Sequence, residues 1–146
     1  MNRKKKISKL QQKKNDPFSS YWERKCNQIF WEIFNENYAV GYCNIGIFDN
    51  FSLCHGRIHR HHLIKKENYL TKWEFENILE ICAYHHDRFN NKLSAHGTPE
   101  LFMIWLEENF PHKWAYIKAH KNIITRKIDL PWTFKEKYEE LCKTIL

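Results

Sequence analysis

The sequence predicts an α+β fold, mainly helical, in which amphipathic helices flank a small hairpin-and-helix core. Three observations point to it. Apolar residues recur at helical spacing after Pro17 and again after Pro99. A glycine-punctuated run of β-branched and aromatic residues lies between them. The length of 146 residues suits one core of ordinary size and argues against a multidomain chain. The organisation expected is a basic flexible tail over 1–15 and a single domain over 16–146, with a helix at 17–38, a compact core at about 40–92 and C-terminal helices within 99–146.

Asp16-Pro17 reads as a helix start, and Tyr21, Trp22, Cys26, Ile29, Phe30, Ile33 and Phe34 then fall at the spacings of a packing helix. From Val40 to Ile64, Gly41, Gly46 and Gly56 interrupt β-branched and aromatic residues, which favours short strands and turns. The next stretch is ambiguous. Thr71 and Glu74 form a capping-box pattern, whereas Ile78 to Cys82 also fits a short buried strand. Thr98-Pro99 opens a helix over Glu100 to Asn109 that Pro111 ends, and a second short helix is expected over Lys113 to Lys121. Thr133 and Glu136 cap a last helix ending near Thr144.

Composition excludes several classes. With 42% hydrophobic and 16% aromatic residues the chain is too apolar to be disordered. It has no apolar run of the roughly 18 residues that span a bilayer, and residues 1 to 14 hold no apolar stretch for a signal peptide. A soluble, cytoplasmic protein without a membrane partner is therefore expected. Of the 24 Lys and Arg residues seven lie in residues 1 to 14 without an acid, and the other 17 balance the 17 acids, so the net charge of +7 resides in the tail. A basic arm on a neutral body suits a polyanion, because binding releases counterions condensed on phosphates. A second acid-free segment, His55 to Lys66, contributes Arg57, Arg60, Lys65 and Lys66.

Five cysteines without a secretory context argue for metal binding or reduced thiols over a disulfide framework. Histidines crowd at two places, His55, His59, His61 and His62, then His85 and His86 just after Cys82. Two such clusters about twenty residues apart can meet in a hairpin, where imidazole serves as a metal ligand or as a base near neutral pH. No Gly-rich nucleotide loop or serine triad is present, which removes kinase and hydrolase readings of those kinds.

The order of these residues carries a family resemblance. His61-His62-Leu63-Ile64 followed by Asn77-Ile78-Leu79-Glu80-Ile81-Cys82-Ala83-Tyr84-His85-His86 resembles the HNH endonuclease signature, over about Cys43 to Asn91. In that family a His-His or Asp-His pair sits on the first strand of a hairpin, an Asn follows, and a Leu-Cys-x-x-Cys-His run leads into a helix. The resemblance implies a ββα-metal core clamping one divalent cation over a scissile phosphate, Mg²⁺ or Mn²⁺, with Ni²⁺ or Zn²⁺ as alternatives. It implies His62 as general base, Asn77 as the residue that holds the hairpin, and His61 and His86 as metal ligands. Asn90, four residues beyond His86 on the expected helix, stands where some relatives have a further ligand.

Many relatives also carry a structural zinc between two Cys-x-x-Cys pairs. Here only Cys82-x-x-His85 keeps that spacing, and Cys43 and Cys54 complete an off-pattern set whose alternative is a pair of buried thiols. The run His96 to Phe102 looks like the C-terminal part of small phage-type HNH proteins linked to recombination, with His96 itself read as a capping or surface residue, the alternative being an approach to the phosphate. The implied function is a metal-dependent DNA endonuclease in which Arg3, Lys4, Lys5, Lys6, Arg57, Arg60, Lys65 and Lys66 contact the DNA backbone. The alternative is a non-catalytic, zinc-stapled nucleic-acid-binding module.

Overall fold

The computed structural model describes residues 8–48, 50–123 and 125–145. Arg3, Lys4, Lys5 and Lys6 lie outside them. The described residues cluster in two compact units, one within 8–38 and 126–145, the other within 39–125.

The terminal unit contains α1 (Lys9–Asn15), α2 (Ser20–Asn37) and α6 (Phe134–Lys143). Where the sequence suggests a flexible tail over 1–15, Lys9–Asn15 is helical, and local bonds explain why. Ser8 Oγ accepts from Gln11 N at 3.1 Å and caps the start. At the far end Ser19 Oγ donates to the Lys13 carbonyl and Trp22 Nε1 to that of Lys14, satisfying carbonyls that a helix end otherwise leaves open. Cys26, Ile29, Phe30, Ile33 and Phe34 are the buried face of α2. That face meets α6, where Phe134 is fully buried and Cys26 Sγ donates to its carbonyl at 3.1 Å. The capping box of α6 is formed as its sequence pattern predicts, with Glu136 N donating to Thr133 Oγ1 and Thr133 N to Glu136 Oε2.

The middle unit is built around an antiparallel hairpin, β1 (Ile58–His62) and β2 (Ile78–Cys82), in the register His62 opposite Ile78 and Ile58 opposite Cys82. The ambiguous stretch thus resolves into turns, a single 3-10 turn at Phe75–Asn77 and a strand buried at all five positions. A single helical turn, α3 (Ala83–His86), follows β2 directly, and α4 (Pro99–Asn109) and α5 (Pro111–His120) complete the unit. Pro111 both ends α4 and opens α5, two residues earlier than the sequence suggests, because its missing N–H costs nothing at a first helical position. Ile45, Leu63, Ile64, Leu79, Ile81, Phe102, Leu106 and Ile117 form the core under the hairpin. Among the described residues no helix is long and apolar enough to cross a membrane.

Candidate metal centres

Strand alternation separates the histidines of β1. Side chains two apart share a face, and His59 and His61 both reach His86 on α3: the His59 ring stacks on it at 4.8 Å, and the His61 ring meets it edge-on at 5.3 Å. His96, on the bend that leads into α4, closes the group, its Nε2 lying 3.2 Å from His86 Nε2 and its ring 5.0 Å from that of His61. The ligand atoms of His61, His86 and His96 all lie within 4.8 Å of one another. Burial runs in that order: His61 is buried, His86 half-buried and His96 exposed. The group is therefore open on one side, as a reactive metal centre with three protein ligands requires.

Burial, and after it the neighbouring His96, His86 and His62 rings, holds the His61 imidazole far below its ordinary range, at about 3. Burial lowers His86 as well, followed by His96 and His59. Both rings are thus kept neutral, the form that ligates. His62 belongs to the opposite face of the strand, yet it lines the same cavity of about 280 Å³ as His61, His86, His96, Arg60, Lys65, Lys66 and Glu67. Burial lowers its pKa, and a hydrogen bond to the Lys72 backbone raises it part of the way back. A neutral imidazole that gives its one N–H to a carbonyl presents its other nitrogen as a proton acceptor.

Asn77 is fully buried and ties the two ends of the loop joining the strands. Its Oδ1 accepts from Ile64 N at 2.6 Å, its Nδ2 donates to the Ile64 and Thr71 carbonyls, and its own carbonyl accepts from Leu63 N. The residues just after His61 and His62 are fixed by this one side chain. Asn90 lies elsewhere. α3 stops at His86 because Asp87 is extended, so no helix carries Asn90 onto the ligand face. Its amide instead donates to the Tyr84 and Leu93 carbonyls and accepts from Lys92 N. Arg60, Lys65 and Lys66 rim the cavity, while Arg57 is exposed and is not part of its lining.

A second group assembles around the preceding residue of α3, His85. The sulfurs of Cys82, Cys43 and Cys54 lie 3.2, 3.4 and 3.7 Å from one atom, His85 Nδ1, and all four atoms fall within 4.8 Å of one another. One ring nitrogen cannot hydrogen-bond three sulfurs at once, so the packing is that of a coordination shell. A tetrahedral zinc with bonds of about 2.0 to 2.3 Å spaces its ligand atoms by roughly 3.5 Å, which these separations match. Burial, then Cys43 and Cys82, pushes the Cys54 thiol up to about 12. At Cys82 burial also raises the pKa, but bonds from the His85 and His55 backbone with the two other thiols outweigh it, and the net shift is downward. Three thiols this close favour deprotonation together only around a cation.

Two features hold this group whose part in it the sequence does not signal. Glu80, buried on β2, accepts from Val40 N at 2.6 Å and Gly41 N at 3.2 Å, and its carbonyl accepts from Asn44 N and Nδ2, fixing the segment that carries Cys43. Gly46 lets Cys54 approach, since a Cβ there would run into Cys54 Sγ. His96 also went unassigned as a ligand, because its approach depends on the folded bend between Asp87 and Thr98.

No protein-family model, curated protein or solved structure matches this chain. Its identity rests on the geometry: a small ββα-type hairpin and helical turn that brings together a Cys₃His group and a His₃ group, each able to hold a metal ion.

Proposed function

We propose that the protein is a zinc-stapled, metal-binding module that acts on nucleic acid, and that its open centre makes it a DNA endonuclease of the HNH kind. The observation that carries the reading is the meeting of His61, His86 and His96 beside His62 in one cavity rimmed by Arg60, Lys65 and Lys66. Cys43, Cys54, Cys82 and His85 would hold a structural Zn²⁺. His61, His86 and His96 would hold a single divalent cation, Mg²⁺ or Mn²⁺, or Ni²⁺ or Zn²⁺, which imidazole ligands suit better. When bound, that cation supplies neutralisation of charge on the leaving oxygen of a phosphodiester.

The residues of the chain supply the rest. His62 takes the proton of the attacking water, and Asn77 holds the loop so that the ring keeps its direction. Lys65, Lys66 and Arg60 hold the phosphate backbone, joined by Arg57 and by Arg3, Lys4, Lys5 and Lys6. Phosphate contacts position a duplex without reading its sequence, so nicking with weak sequence preference is expected, in a setting such as phage DNA recombination or repair.

The two ligand groups also favour a second reading, a non-catalytic zinc-stapled nucleic-acid-binding module. Metal ligation is what the geometry bears on most directly, and it asks nothing of His62. Cleavage separates the two. Purified protein is incubated with supercoiled plasmid, and in parallel with RNA, with Mg²⁺, Mn²⁺ or Ni²⁺ and with EDTA. Metal-dependent nicking of the plasmid supports the enzyme. Retarded but intact plasmid in every metal supports the binding module, and cutting of RNA alone redirects the substrate.

A further inference from the structure

We infer that Phe89, three residues beyond His86 in the chain, is a stacking platform for a nucleobase, with Arg88 and Lys92 on either side of it in sequence as backbone contacts; the inference rests on the nucleic-acid reading above. Phe89 is 79% exposed, although an aromatic ring gains by leaving water. A ring on a slack loop would fold back onto the protein. Here the backbone is fixed so that it does not.

Asp87 Oδ1 accepts from Phe89 N at 2.9 Å and shapes the turn directly after His86. Asn90 bonds the Tyr84 and Leu93 carbonyls and Lys92 N. Ser94 Oγ, fully buried, shares its one hydrogen between the Asp87 and Asn90 carbonyls and accepts from Gly97 N. Gly97 sits so close beneath the turn that a Cβ would meet the Asn90 carbonyl and Ser94 Oγ. The turn is therefore a rigid bracket, and Phe89 projects from it three residues beyond a proposed metal ligand.

The company of the ring names the partner. Arg88 places its guanidinium carbon 4.7 Å from the ring centroid, Lys92 follows, and the intervening residues are Asn90 and Asn91. A protein-docking hot spot is ringed by apolar or neutral contacts that exclude water, and none of the residues from Arg88 to Lys92 other than Phe89 is apolar. An exposed aromatic with a guanidinium over its ring is an arrangement that grips a strand by stacking one base while charge follows the backbone.

The test measures binding of the zinc-loaded protein to a single-stranded thymidylate dodecamer and to a wholly abasic strand of equal charge, for wild type, Phe89→Ala and Phe89→Trp. Stacking predicts that Phe89→Ala weakens binding to thymidylate by about five- to a hundredfold and that Phe89→Trp restores it. On the abasic strand wild type and Phe89→Ala should bind alike. An alanine variant within about twofold of wild type on thymidylate overturns the inference, as does an equal loss on both strands, which would make Phe89 merely structural. If wild type nicks plasmid while these results fail, the stacking role alone falls. If wild type neither binds nor nicks, the nucleic-acid reading falls and takes this one with it.

Discussion

The two ligand groups draw on adjacent residues of one helical turn and differ in the number, type and burial of their donors. The Cys₃His group has four donors, with Cys43, Cys82 and His85 buried and only Cys54 partly exposed. The His₃ group has three donors grading from buried His61 to exposed His96. A closed shell of thiolates can do nothing to a substrate and is suited to holding a fold; an open shell of imidazoles leaves room for a reacting group. Adjacent residues, His85 and His86, serve the two groups because the helical turn points them apart.

The sharpest way to break this contrast is to remove a donor from the closed group. Cys82→Ala or His85→Ala should abolish the one zinc per chain expected in purified protein and the cooperative melting of the middle unit, since structural zinc is worth on the order of 10 kcal/mol to a small domain. Metal analysis with a thermal melt reads both, and a metal-free wild type that melts cooperatively would discard the staple. His86→Ala should keep the zinc and the melt.

His62→Ala should lower plasmid nicking by at least about a hundredfold, the lower range for a lost general base, with zinc content and melting unchanged. Equal nicking would remove His62 from the chemistry. Next in size is the pair His96→Ala and Asn90→Ala. The first should weaken divalent-ion affinity at the open centre by tenfold or more, as even indirect partners of a metal do when lost, read by titration calorimetry on zinc-loaded protein. Asn90→Ala should leave that affinity alone and cost about 1–3 kcal/mol of stability through the backbone groups it abandons. The reverse pattern would return Asn90 to the ligand set. The smallest effect expected is from Glu80→Gln, which keeps the shape of the clamp but weakens its bonds to Val40 and Gly41, costing roughly 1 kcal/mol in the melt and nothing in affinity at the open centre.

What the sequence made legible was local. Helices α2, α4 and α6 follow from apolar spacing, Pro99 and the Thr133–Glu136 pair, all within a few residues of the structure they specify. The Thr71–Glu74 pair has the same local signature without a helix, because the chain there is committed to turns that deliver Asn77 to its partners. The order of His61, His62 and His86 drew attention to three residues that do share a cavity. His96 and Glu80 carried no comparable signal. One depends on a bend tied by Ser94 and Asn90, and the other looked like a polar interruption in a strand whose partners lie about forty residues earlier.

The carboxylate of Glu80 also imposes an order of events. Cys82 and His85 are neighbours in the chain from the start, whereas Cys43 belongs to a segment that Glu80 on β2 holds through the Val40 and Gly41 amides. Where the group holds zinc as proposed, its tight capture follows hairpin formation, and cobalt, which reports spectroscopically when thiolates bind it, would act as a clock for the assembly of the strands.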